Sequence, residues 1–354
     1  MKNKALFIQS ILLLIILIML ITMVYFLLLP KNVFAGLDLD YDYNYCMWKE
    51  LYKYDDNQLE VISVGSSHSN CSIMPPILSD KLNVDCYNLS TTGASVDMIR
   101  YQLEEILKYQ TPKIVTLELF SLFDLEDKIY DEKAVLGMRL SPLKYRAVKQ
   151  FLPDEVADNL FPMSQNHMNW KAFQFPNDII RAYKHDTTLP YDGYLLFSNA
   201  FSFEDGAELP DISTQTWDNV DLSDTQTDAL EQIAEMCEEK GIKLVFVISP
   251  YIAQSDLTYR DMMARLPAIE SFCSKHDISL VNYLLLQNEI GLTLDDFSDP
   301  GHMNVYGAVK VSSYLADYLS DNCDSLFDNS VWDTQAKTVN EIKTLHDNYD
   351  FDIP

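Results

Sequence analysis

Short apolar runs separated by segments of helical period constrain the fold of this chain more than any single residue does. Residues 61–64 read as a short buried strand, 84–89 as a plausible second, and 114–119, apolar except for Thr116 and Glu118, as a third. A helix interrupted near Pro75-Pro76 follows the first run. A second helix, over about 96–109, follows the next, with Ser95 as N-cap and Val96, Ile99, Leu103, Ile106 and Leu107 on one face. The order β-α-β-α-β implies an α/β fold with a parallel sheet and right-handed crossovers. The alternation resumes downstream. A helix over 222–240 closes at Gly241, a buried strand covers 243–248, and a helix over roughly 259–276 leads to a short strand at 280–282. A last helix covers 304–319.

Between these halves, about 121–216 is rich in aromatics, prolines and aspartates and shows no clean strand. It reads as an insertion of short helices and loops, of the kind that covers an active edge. His167 and Trp170 are its candidates for a substrate wall, with simple packing as the competing role. Residues 37–57, rich in Asp, Tyr and Asn, read as a juxtamembrane spacer, and 324–354 as an acidic, weakly patterned tail.

The chain begins Met1-Lys2-Asn3-Lys4, and residues 5–29 are almost entirely apolar. That run exceeds the roughly 20 residues a helix needs to span a bilayer. With Lys2 and Lys4 before it and only Lys31 close behind, the charge bias puts the N-terminus in the cytoplasm and the remainder outside. The expected organisation is therefore an anchor and linker over 1–35, an extracytoplasmic domain over 36–323, and the acidic tail. Val33-Phe34-Ala35 also suits signal peptidase, so a cleaved signal peptide is the alternative.

The 354 residues carry 53 acidic and 26 basic side chains, a formal charge of −27. No basic groove for a phosphate backbone is expected from that balance, which argues against nucleic acid as a partner. The six cysteines follow no zinc spacing; Cys71 and Cys86 flank the first helix after the Ser67 turn and could pair, while small buried hydrophobes is the reading for most.

Chemistry concentrates at two places. Gly65 breaks the first strand, and Ser66, Ser67, His68 and Ser69 follow at once; a hydroxyl there stands at the C-terminal edge of a parallel sheet, where such sheets bind ligands. Backbone N–H groups at a helix start also lie close to such a turn and stabilise an oxyanion. Far downstream, Asp299-Pro300-Gly301-His302 brings a carboxylate and an imidazole together within one tight turn. A serine needs a base to take its proton, and a carboxylate orients that base, whatever the chain order of the three. Asp295 and Asp296 are rival carboxylates, less suited by their distance from His302. Ser66 and Ser69 read as turn hydroxyls, His68 as a neighbour, and Asn304 as the cap of the last helix or a tie to the loop of His302.

Gly65-Ser66-Ser67, the small-residue loop containing Gly93, and Asp299-Pro300-Gly301-His302 together resemble the SGNH (GDSL-like) hydrolase family over about 61–319. The resemblance implies a flavodoxin-like α/β/α sandwich, preceded here by one transmembrane helix. It implies Ser67 as nucleophile, His302 as base, Asp299 as its orienter, and the N–H groups of Ser67 and Gly93 as an oxyanion hole. It calls for no cofactor and no metal. The third strand lacks the family's Gly-x-Asn motif, and Ser121 stands as a substitute donor. These departures and the anchor are more similar to membrane-tethered members resembling the D-alanyl-lipoteichoic acid biosynthesis and alginate acetylation proteins, which work beside a membrane-bound O-acyltransferase. The function implied is a serine esterase or acyltransferase acting on a cell-surface glycan or lipid-linked polymer. The alternative is a non-catalytic polysaccharide-binding or scaffolding protein on the same fold. N-terminal sequencing of the membrane-extracted protein distinguishes anchor from leader: an uncleaved anchor retains residues 5–29, whereas a mature terminus at Gly36 means cleavage.

Overall fold

The computed structural model describes residues 2–28, 39–123, 128–160, 189–203, 209, 217–252, 258–323, 326–327, 336–351 and 353–354. Two compact units divide the chain: Met1–Tyr43 with Leu140–Thr187, and Asn44–Arg139 with Thr188–Pro354.

The first unit holds helix α1, Lys2–Leu28, whose stretch Leu6–Met23 is exposed and long and apolar enough to cross a membrane. It also holds two short amphipathic helices, Pro142–Phe151 and Val156–Leu160, the former capped by Ser141, whose hydroxyl accepts from the Lys144 N–H.

The second unit contains a five-stranded parallel sheet: β1 Val61–Gly65, β2 Cys86–Ser90, β3 Ile114–Glu118, β4 Lys243–Ile248 and β5 Ser279–Asn282. The order is β2-β1-β3-β4-β5. Strand β1 pairs on both sides without offset, Val61 standing opposite both Cys86 and Ile114. Strands β1, β2 and β3 are buried throughout, as expected of a parallel sheet covered on both faces. On one face, Val61, Ile114, Val245 and Val281 pack with Leu78 and Leu82 of the helix Pro75–Leu82 and with Val311, Leu315 and Leu319 of the helix Val305–Cys323. On the other, Phe246 stacks on Phe272 of the helix Thr258–His276, and the helices Val96–Ile106 and Asp224–Glu239 pack together.

Local signals start and separate these helices, while their ends differ somewhat from the sequence reading: the helix expected over 96–109 is Val96–Ile106 and that over 304–319 is Val305–Cys323. Pro75 and Pro76 occupy the first positions of Pro75–Leu82 and separate it from Ser67–Ser72, since proline lacks the N–H that a helix interior requires. The Ser95 hydroxyl accepts from the Met98 N–H, and Ser223 forms a capping box with Gln226. Between β3 and Asp224–Glu239 the described residues form short helices and 3-10 turns, with no strand among them. All six cysteines are buried and none forms a disulfide, so Cys71 and Cys86 are not joined.

Two segments differ from the sequence reading. The supposed spacer is a helix, Leu39–Leu51, and Met47, Trp48 and Leu51 are fully buried within the second unit. Trp48 lies so close to Gly137 that a Cβ there would sit 2.5 Å from the Trp48 Cβ. Leu51 falls one helical turn after the adjacent Met47 and Trp48, a signal too short to stand out against the surrounding Asp, Asn and Tyr. In the tail, Ala336–Asn348 is also helical, with Leu345 buried among Met74, Ile77, Val305 and Val309.

That C-terminal helix closes a charged cluster. Lys337 pairs with Glu50 at 3.3 Å and with Asp192, which also accepts from the Tyr54 hydroxyl at 2.5 Å. Glu341 accepts from the Tyr191 N–H at 2.8 Å. One lysine thus faces three carboxylates. Burial, followed by the charge of Asp192, pushes the Glu341 carboxyl up to about 8, against the pull of Lys337. A carboxyl whose folded pKa is raised stabilises the fold fully below its ordinary value, and loses that contribution as pH rises through the raised one. Glu341→Gln is therefore expected to raise the thermal midpoint at pH 8 and to change it little at pH 5. Calorimetry at the two pH values checks this.

Candidate active site

The C-terminal ends of the strands put Gly65, Ser90, Glu118 and Ile248 at one edge of the sheet. Past Gly65 the chain turns at Ser66 (φ −93°, ψ −167°) into the helix Ser67–Ser72. The Ser66 hydroxyl caps that helix, accepting from the His68 N–H at 3.2 Å. Ser67 thereby becomes the first helical residue, its side chain partly exposed above the edge.

The other half of the site is a two-stranded hairpin, Phe297–Asp299 paired with His302–Met303. Asp299 organises its turn. Its Oδ1 accepts from the N–H groups of Gly301 at 2.8 Å and His302 at 3.0 Å, while His302 Nδ1 lies 2.8 Å from Oδ2. With Nδ1 donating to the carboxylate, Nε2 is the free acceptor of the ring. Ser67 Oγ lies 2.9 Å from that Nε2, across 235 residues of sequence. Burial raises the Asp299 carboxyl, but the His302 hydrogen bond and charge and the two backbone N–H groups outweigh it, holding the group below its ordinary value.

Asn304 secures the hairpin from behind. Its Nδ2 donates to the Asp295 carbonyl at 2.6 Å, and its Oδ1 accepts from the N–H groups of Tyr306 and Gly307 at the start of the helix Val305–Cys323. It fills both roles the sequence left open. Neither rival carboxylate bonds to His302. Asp296 is occupied by Lys310 at 2.8 Å and by the Thr293 N–H at 2.7 Å, and Asp295 contributes its backbone carbonyl.

Gly93 lies in the turn after β2, whose last residue, Ser90, stands opposite Gly65. Its φ of +68° and the Tyr130 ring, 2.3 Å from where a Cβ would sit, leave room for no other residue. Among the described residues, the N–H groups of Ser67 and Gly93 have no acceptor. Ser121 is buried in a 3-10 turn, Leu119–Leu122, and its hydroxyl donates to the Glu118 carbonyl at 2.7 Å, so its one hydrogen is engaged within the turn. His167 and Trp170 lie outside the described residues. Among those described, no grouping of His, Cys, Asp and Glu could hold a metal ion.

Several further residues surround the pair. His68 is buried, stacked on Phe120 at 3.7 Å between ring centroids, edge-on to Tyr251, and 5.1 Å from the His302 ring. Burial, then the charge of His302, holds the His68 imidazole well below its ordinary value despite the opposing pull of Asp299, so it is neutral. Phe197 flanks His302 from the segment after the 3-10 turn Pro190–Gly193. Glu118, the last residue of β3, is buried directly beneath Ser66. An acidic residue at the end of an otherwise buried strand was the available clue.

No protein-family model matches this sequence, and a search of curated proteins found no match either.

The tight packing of Tyr130 on Gly93 has a measurable consequence. Gly93→Ala combines positive-φ strain with overpacking and is expected to cost about 2–4 kcal/mol in urea unfolding.

Proposed function

We propose that this protein is a membrane-anchored, extracytoplasmic serine esterase or O-acyltransferase of SGNH type, acting through an acyl-serine intermediate on acyl esters of a surface glycan or lipid-linked polymer. The observation that carries the reading is the unbroken chain Asp299–His302–Ser67, with contacts of 2.8 and 2.9 Å at the C-terminal edge of a parallel sheet. The strand order 2-1-3-4-5 supports the flavodoxin-like architecture of that family. The exposed apolar stretch Leu6–Met23 of α1, preceded in sequence by Lys2 and Lys4, supports an anchor with the domain outside.

In this mechanism Ser67 Oγ attacks the acyl carbonyl while His302 Nε2 takes its proton. Asp299, kept anionic, steadies the resulting imidazolium. The N–H groups of Ser67 and Gly93 receive the oxyanion of the tetrahedral intermediate. Its collapse expels the alcohol, which leaves with the proton from His302, and the acyl group stays on Ser67. In the second half an acceptor hydroxyl gives its proton to His302 and attacks the acyl-serine; collapse of that tetrahedral intermediate breaks the bond to Ser67 Oγ, which takes the proton back from His302, and the acyl group leaves on the acceptor. Water as acceptor makes the protein an esterase. A sugar or polymer hydroxyl makes it a transferase, for which a membrane-bound O-acyltransferase is the fitting donor partner.

Labelling with a fluorophosphonate and turnover of an aryl acetate test the reading together. Ser67→Ala is expected to abolish both, and His302→Ala nearly so. Asp299→Asn is expected to lower turnover by up to about 10⁴-fold, less where the Pro300-Gly301 turn itself holds the ring. Full activity in Ser67→Ala would overturn the proposal in favour of a non-catalytic glycan-binding role.

A further inference from the structure

Resting on the acyl-serine reading, we propose that Glu118 is a positioning residue for the nucleophile: its ionised carboxylate locks the turn that presents Ser67 and fixes the direction of the Ser66 hydroxyl. Glu118 closes β3 beside the end of β1 and is almost wholly buried. Its two oxygens accept from three donors. Oε2 takes the Ser66 hydroxyl at 2.7 Å and the Ser66 N–H at 3.3 Å, and Oε1 takes the Phe120 N–H at 2.6 Å. Gly65 permits this approach, since a Cβ there would lie 2.6 Å from the Glu118 Cβ and 3.3 Å from Oε2.

The direction of these bonds matters. Ser66 Oγ already accepts from the His68 N–H, and it has one hydrogen to give. An ionised carboxylate only accepts, so that hydrogen points to Glu118. The result is a one-way chain from the His68 N–H through the Ser66 hydroxyl to Glu118. Ser67 lies between two residues tied by the same chain, and its backbone is held from both sides. Phe120, fixed by the same carboxylate, is the ring on which His68 stacks beside His302.

A serine cap needs no buried charge behind it, and stability does not favour one. Burial pushes the Glu118 carboxyl up to about 7, against the hydrogen bonds from Ser66 and Phe120 and the charge of His302. The other titratable groups near it are the buried Tyr251 and the neutral His68, neither of which offers a positive charge. A glutamine of the same shape would relieve the burial cost, but its amide nitrogen donates and would reverse the Ser66 hydroxyl.

The test uses the full chain in detergent and compares wild type, Glu118→Gln, Ser66→Ala and the double variant. Fluorophosphonate labelling rates at Ser67 and thermal midpoints at pH 8 are measured together. Glu118→Gln is expected to label about 10- to 100-fold more slowly, as misplaced reacting groups do, while its midpoint stays equal or rises. Ser66→Ala is expected to lose a similar factor, and the double variant no more than the slower single one. It also carries the test should Glu118→Gln not fold. Labelling of Glu118→Gln at the wild-type rate, losses that multiply in the double variant, or slow labelling matched by a lowered midpoint would overturn the role of Glu118 alone. Absence of Ser67 labelling in the wild type would instead overturn the acyl-serine reading and this inference with it.

Discussion

The offset-free pairing of β1 with both β2 and β3 is the constraint on which the site depends. Because Val61 stands opposite Cys86 on one side and Ile114 on the other, the three strands end together. The loops after Gly65, Ser90 and Glu118 therefore leave the sheet at one level. A shift of one residue in a strand would turn its side chains to the other face and displace its loop. The register is held by burial on both faces and, inside the sheet, by the Thr116 hydroxyl donating to Ser63 Oγ at 2.8 Å. Against this fixed edge the hairpin of Asp299 and His302 is brought in by the helix Val305–Cys323, which packs along one face.

Two carboxylates serve the Ser66–Ser67 turn and its partners, and their surroundings set them apart. Asp299 is partly exposed and held below its ordinary value by hydrogen bonds, so it stays anionic and can orient an imidazole. Glu118 is buried, pushed up to about 7, and bonded to the turn rather than to the base. Between them His68 is kept neutral by burial. Phe120, Tyr251 and Phe197 come from three separate loops and surround the two histidines with aromatic rings. Hydrogen bonds in such surroundings are stronger than in water, and unpaired polar groups there are correspondingly costly.

The alternation of strand and helix was legible from residue 61 onward because each element carries its own period and its own stop signal. Ser95 and Ser223 cap by local hydrogen bonds, and Pro75 and Pro76 mark a helix start. The same locality made Asp299 and His302 readable as a pair, since both lie in one four-residue turn. The helices Leu39–Leu51 and Ala336–Asn348 were not legible. Each buries only a few apolar side chains, too few to show a period, and each is stable through packing against residues remote in sequence.

By itself, then, the sequence determined what depends on neighbours along the chain: the apolar helix at the N-terminus, the parallel α/β class, the turn that exposes Ser67, and the turn that joins Asp299 to His302. Tertiary structure alone decided what depends on distance through space. It set the 2.9 Å contact between Ser67 and His302, withdrew Asp296 to Lys310 and the Ser121 hydroxyl to a local carbonyl, and placed Glu118 beneath Ser66. The physical reason is the range of the forces concerned. Capping and periodicity act within a few residues, whereas the partner of a buried charge is chosen by whichever strand the sheet order places beside it.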